Sequence, residues 1–263
     1  MVENILSQRY LVIVPDQEIE AFLIITPPQF EVIGESKYTK QFKDQLLALL
    51  PSDKKDQFGW YLQQFIKLLA AKDSESTDVV LIWDADTAPI RKVQFISQDG
   101  KLNYYKSTEY HPPYFDCIKK LLSLEKQVPF SFIAQCFPLK VIWLDEFCNY
   151  LEEKFKMPWL GAIINTIDFN ESNGFSEYET LGTFIAHYHG REVTYLDRPW
   201  WRLGNTLINH VAFLSKKKAR ELSAYYDFVS FEKWERAKPY FFKVSIPYFF
   251  KIYIPSKFKK ILT

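Results

Sequence analysis

The sequence has few of the residues that announce a cofactor or a membrane. It contains only three cysteines, Cys117, Cys136 and Cys148, and no CxxC pair. An odd, scattered set excludes a disulfide framework and points to reduced, buried thiols. Glycines number 8 in 263 residues, and none forms a phosphate-cradling loop. The opening MVENILSQRY has no charged stretch followed by a long apolar one, so no secretory leader is expected. No apolar run approaches the length that crosses a bilayer. The excess of charge is also small: a net charge of +1 gives no field that would attract nucleic acid. These absences predict a cytoplasmic protein.

What is abundant is aromatic and aliphatic. The chain is 48% hydrophobic, 25% charged and 17% aromatic, ordinary for a folded domain apart from the last figure. Strand-like runs are Tyr10–Val14, Phe30–Ile33, Val79–Trp83, Phe130–Cys136 and Val193–Leu196. Val93–Ile96 and Leu102–Tyr105 flank Asp99-Gly100 and predict a hairpin. Helical periodicity marks Gln57–Lys72, and Tyr114–Leu124, Leu139–Phe155 and Ser176–His187 also read as helices. Ser176 is the expected N-cap of the last, with Glu179 at capping-box spacing. This alternation predicts an α/β fold, a mixed sheet flanked by helices, over residues 1–235. From residue 236 to 263 the rhythm breaks into a tail rich in Lys, Tyr, Phe and Pro without an acidic residue. Such a tail either makes peripheral contact with an anionic membrane at its inner face or packs its aromatics back onto the domain.

Val79-Val-Leu-Ile-Trp83 has no alternation, as in a strand buried on both faces, and it runs directly into Asp84-Ala-Asp86. Ligands of open α/β sheets gather beyond the carboxyl ends of strands. Two carboxylates there suit Mg²⁺ or Mn²⁺, hard cations that keep several waters and bridge to phosphate oxygens. A bridging cation neutralises the charge that develops on a departing diphosphate. Aspartates after a strand also cap loops, and that bland reading stands beside the metal reading.

Three segments in order, GWYLQQFIKLLAAK, TDVVLIWDADTAPIR and FSEYETLG, resemble a bacterial family of predicted glycosyltransferases linked to cell-surface polysaccharides. The resemblance runs from about Tyr10 to Glu232. It implies a GT-A-like (Rossmann-like) fold, a divalent metal (Mn²⁺ or Mg²⁺), a nucleotide-sugar donor and a saccharide or lipid-linked acceptor. It assigns Asp84 and Asp86 to metal and diphosphate, and Gln63, Gln64 and Lys67 to the helix before them, with Gln64 and Lys67 on the donor side. FSEYETLG matches the acceptor region, with Glu177 as the base that removes the acceptor proton and Glu179 as its capping neighbour at a helix N-terminus. His210, in a loop-like stretch, is the expected third metal ligand. Arg198 and Arg202 around Trp200-Trp201 could stack on a sugar or hold a phosphate. At its start the sequence departs from the family pattern. Only nine residues precede the strand at Tyr10, which resembles the family's second strand, so an incomplete N-terminal unit is expected.

Two other function classes remain open on the sequence. One is a non-catalytic carbohydrate-binding or scaffold protein derived from the same fold. The other is a metal-dependent nucleotidyltransferase or phosphatase, which no lysine- or glycine-rich phosphate loop supports.

Overall fold

A computed structural model describes residues 1–232. The elements are β1 (Tyr10–Val14), α1 (Ile19–Ile25), β2 (Phe30–Gly34), α2 (Ser36–Thr39), α3 (Lys43–Leu49), α4 (Phe58–Lys72), β3 (Val79–Trp83), β4 (Thr87–Pro89), β5 (Leu102–Tyr105), α5 (Pro112–Leu122), β6 (Cys136–Lys140), α6 (Val141–Phe155), α7 (Trp159–Thr166), α8 (Glu177–Tyr188), β7 (Val193–Leu196), α9 (Gly204–Ile208), α10 (Lys216–Leu222) and β8 (Phe228–Ser230). The fold is mixed α/β, with small sheets flanked by helices. The expected tail, residues 236–263, lies outside the described residues.

The chain divides into two compact units that interleave along the sequence. The larger comprises Ser7–Trp83 and Gln94–Asp197; the smaller comprises Met1–Leu6, Asp84–Val93 and, among the described residues, 198–232.

The larger unit holds three two-stranded sheets rather than one continuous sheet. β1 and β2 pair in parallel through the α1 crossover, Tyr10 opposite Phe30 and Val14 opposite Gly34. β3 pairs antiparallel with β6, Val79 opposite Lys140 and Trp83 opposite Cys136. β5 pairs in parallel with β7, Leu102 opposite Val193. Helices α4 to α8 close over one core that includes Tyr61, Phe65, Leu68, Phe137, Phe147, Phe175 and Leu181, each almost wholly buried. α8 lies so close to its neighbour that a Cβ added at Gly182 would fall 2.2 Å from the Phe132 ring.

Several sequence expectations need correction. β3 is not buried on both faces: Val79 is 39% exposed and only Ile82 of the strand is buried. With one antiparallel neighbour, its outer residues meet water. The Asp99-Gly100 turn forms, with Ser97 N–H on the Lys101 carbonyl, Gly100 N–H on the Ser97 carbonyl and Asn103 N–H on the Phe95 carbonyl, but the hairpin beyond it is short, with Ile96 to Leu102 as an isolated antiparallel bridge. β5 takes β7 as its partner instead. Residues 130–135 are not a strand. Gln135 adopts φ 64°, in the left-handed region, which breaks the extended run, and β6 starts only at Cys136. Leu139 and Lys140 accordingly end β6, and α6 begins at Val141.

The smaller unit is organised by β4 and β8, antiparallel with Thr87 opposite Ser230 and Pro89 opposite Phe228. Ile90, Ile208, Leu222, Val229 and Phe231 form its core. Among the described residues no helix is long and apolar enough to cross a membrane.

Candidate functional site

The Asp84-Ala-Asp86 triplet is fixed by backbone bonds at both of its acids. The Asp84 carbonyl accepts from Thr87 N–H at 3.0 Å, closing a tight turn. The Asp86 carbonyl accepts from Phe231 N–H at 2.8 Å, extending the β4–β8 pairing. The Asp86 carboxylate receives the hydroxyls of Thr87 and Ser230 at 3.4 Å each. Its side chain reaches water while Asp84 is half-buried. Enough protein surrounds the Asp86 carboxyl that partial burial raises it above its ordinary value, and the charges of Glu232 and Asp84 push it further. Glu232, the third acid, is held by Arg202 Nε at 2.7 Å.

Asp84 and Asp86 are the carboxylates of this unit that could take part in holding a cation. Among the described residues no three His, Cys, Asp or Glu side chains are gathered closely enough to hold a metal. His210, the expected third ligand, is in the same unit, but its Nδ1 accepts from Ala212 N–H at 3.1 Å and caps a short turn.

In the larger unit Gln64, Lys67 and Glu177 come together. Gln64 is 1% exposed; its Oε1 accepts from Glu177 N–H at 2.9 Å and its Nε2 donates to the Trp60 carbonyl at 3.3 Å. Gln64 thus satisfies an otherwise orphaned N–H at the start of α8. Lys67 Nζ donates to Glu177 Oε1 at 2.8 Å and lies 4.6 Å from the Tyr178 ring centre. The pair is largely sealed, with side chains 17% and 4% exposed.

Ser176 caps α8 as expected, its Oγ accepting from Glu179 N–H at 3.3 Å. The Glu179 carboxylate is engaged elsewhere: Oε1 accepts from Phe132 N–H at 3.2 Å and Oε2 lies 3.8 Å from Lys126 Nζ. Burial raises the Glu179 carboxyl above its ordinary value. It therefore secures the 130–135 loop to α8.

The sequence reading missed Asp227. It is 0% exposed, and its carboxylate takes the guanidinium groups of both Arg91 and Arg198. Nothing local marks it: Arg91 lies 136 positions away, and an Asp in YYDFVS reads as an ordinary loop acid. Of the aromatic pair beside it, Trp200 stacks on Phe228 at 5.5 Å, and Trp201 donates its Nε1–H to the Leu203 carbonyl at 2.9 Å.

No curated protein matches the sequence. The model of one family matches residues 2–243, which is most of the chain. That family is described as a family of unknown function, DUF6492. With the match extending through both units, the chain belongs to the DUF6492 family.

Proposed function

We propose that the chain is a metal-dependent glycosyltransferase of GT-A type, moving a sugar from a nucleoside-diphosphate donor to a saccharide or lipid-linked acceptor. The observation that carries the reading is Asp84-Ala-Asp86. Its backbone is pinned by the Thr87 turn and by Phe231, with Asp86 open to solvent and Glu232 and Asp84 bearing on it. Carboxylates in this crowding favour a cation between them. Asp84 and Asp86 would hold Mn²⁺ or Mg²⁺, which supplies charge neutralisation to the leaving diphosphate. Thr87 and Ser230 orient the Asp86 carboxylate through their hydroxyls.

Glu177 would act as acceptor base only after Lys67 releases it, because the ammonium holds one of its oxygens and the pair is largely sealed from solvent. That sealed pair favours the second reading, a carbohydrate-binding or scaffold protein without turnover. Sugar-nucleotide turnover separates the two. With Mn²⁺ and a panel of nucleoside-diphosphate sugars, the chain is expected to release nucleoside diphosphate, and Asp86→Asn to lose about 100-fold or more. Saccharide binding with no release on any donor favours the scaffold.

A further inference from the structure

The Asp227 cluster carries more positive charge than Asp227 needs. This acid is fully buried, and its backbone ties three segments together: its carbonyl accepts from Ile90 N–H at 3.0 Å, and its N–H donates to the Pro199 carbonyl at 2.9 Å. Its carboxylate takes Arg91 through Nε and Nη2, and Arg91 Nη1 donates to the Ser223 carbonyl at 3.3 Å. Arg198 approaches the same carboxylate, Nε at 2.9 Å from Oδ2 and Nη2 at 3.4 Å from Oδ1. One guanidinium is enough to neutralise a buried carboxylate. The second guanidinium is not needed for that neutralisation.

Both arginines reach solvent. The Arg91 side chain is 33% exposed and the Arg198 side chain 51%. Each guanidinium has more N–H donors than Asp227 and Ser223 take up. The remaining donors have no protein partner among the described residues. A guanidinium fixed on one edge by a buried acid has already lost its rotamer freedom, so its outward edge is preorganised for a planar or tetrahedral oxyanion. Trp200 and Trp201 lie two and three residues after Arg198 in the chain, and Trp201 is 36% exposed.

We propose that Arg91 and Arg198, held by Asp227, form an oxyanion-binding fork for a phosphate ester or a sugar carboxylate. It is a binding site separate from the Asp84/Asp86 carboxylates and does not depend on their metal. Asp227 is a positioning residue; Arg198 contributes most of the exposed contact.

The full chain is titrated with methyl phosphate and, separately, with glucuronate at constant ionic strength, following tryptophan fluorescence and heat. Saturable binding of either anion is expected, and the tighter one identifies the ligand class. Arg198→Gln, which leaves Arg91 to neutralise Asp227, is expected to weaken binding about 10-fold or more. Arg191→Gln, at an exposed arginine of the larger unit, is expected to leave it unchanged. Asp86→Asn is also expected to bind the anion as the parent does, so loss of the metal reading does not affect this one. No saturation with either anion, or equal affinity in Arg198→Gln and the parent, overturns the proposal.

Discussion

Asp86 illustrates how a single side chain can be costly alone and useful with a partner. Its carboxyl is raised first by burial and then by Glu232 and Asp84. A folded value above the unfolded one means that the native chain binds its proton more tightly than the unfolded chain. Stability from this group therefore falls as pH rises from the ordinary carboxylate range, about 4, through the folded value. In chelator at pH 7, Asp86→Asn is expected to melt at or above the parent temperature, with the gap closing as pH is lowered toward about 4. A clear loss of melting temperature at pH 7 would show that the carboxylate is structural. The thiols behave oppositely to reactive ones. Burial pushes Cys117 and Cys148 each up to about 12, and Cys136 is buried as well. Iodoacetamide at pH 8 is expected to leave the native chain unmodified by mass spectrometry and to alkylate all three after unfolding.

At the scale of elements, α4 and α8 are joined by polar contacts inside a hydrophobic core. Removing one partner of the sealed Lys67–Glu177 pair leaves the other charge buried. Lys67→Met is expected to cost about 3–5 kcal/mol in denaturant unfolding. Lys67→Met with Glu177→Gln is expected to recover much of that loss, since the uncompensated charge is gone. A single-variant cost no larger than that of an exposed pair, about 1 kcal/mol or less, contradicts a sealed bridge. These same elements mark what the sequence could reveal. Periodicity identified α4, and the Ser176 cap with Glu179 three residues on identified α8, because an amphipathic stripe and a capping hydroxyl are local signals. Strand pairing was hidden. The partner of β5 is 91 positions away, and the left-handed Gln135 that ends the 130–135 run has no local signature. Gln64 was legible as a helix residue, but not as the side chain that satisfies Glu177 N–H 113 positions on.

For the whole molecule, each unit supplies its own chemistry. The smaller draws Asp84, Asp86 and Glu232 into one group and Arg91, Asp227 and Arg198 into another, from segments scattered across the sequence. Asp84-Ala-Asp86 was visible because its two acids are neighbours; Asp227 and Glu232 were not, because only folding makes them neighbours. The larger unit holds Gln64, Lys67, Glu177 and Glu179, whose carboxylates and amide are committed to securing α8. The family match spans both units without naming an activity, so the central claim rests on whether the Asp84/Asp86 carboxylates hold a cation and a diphosphate. A ligand that binds only the folded chain raises its melting temperature, which makes thermal shift with Mn²⁺ and a nucleoside diphosphate the most direct measurement. The expected result is an upward shift that needs both Mn²⁺ and nucleotide and disappears in Asp86→Asn; no shift with any nucleoside diphosphate, or the same shift in Asp86→Asn, contradicts it.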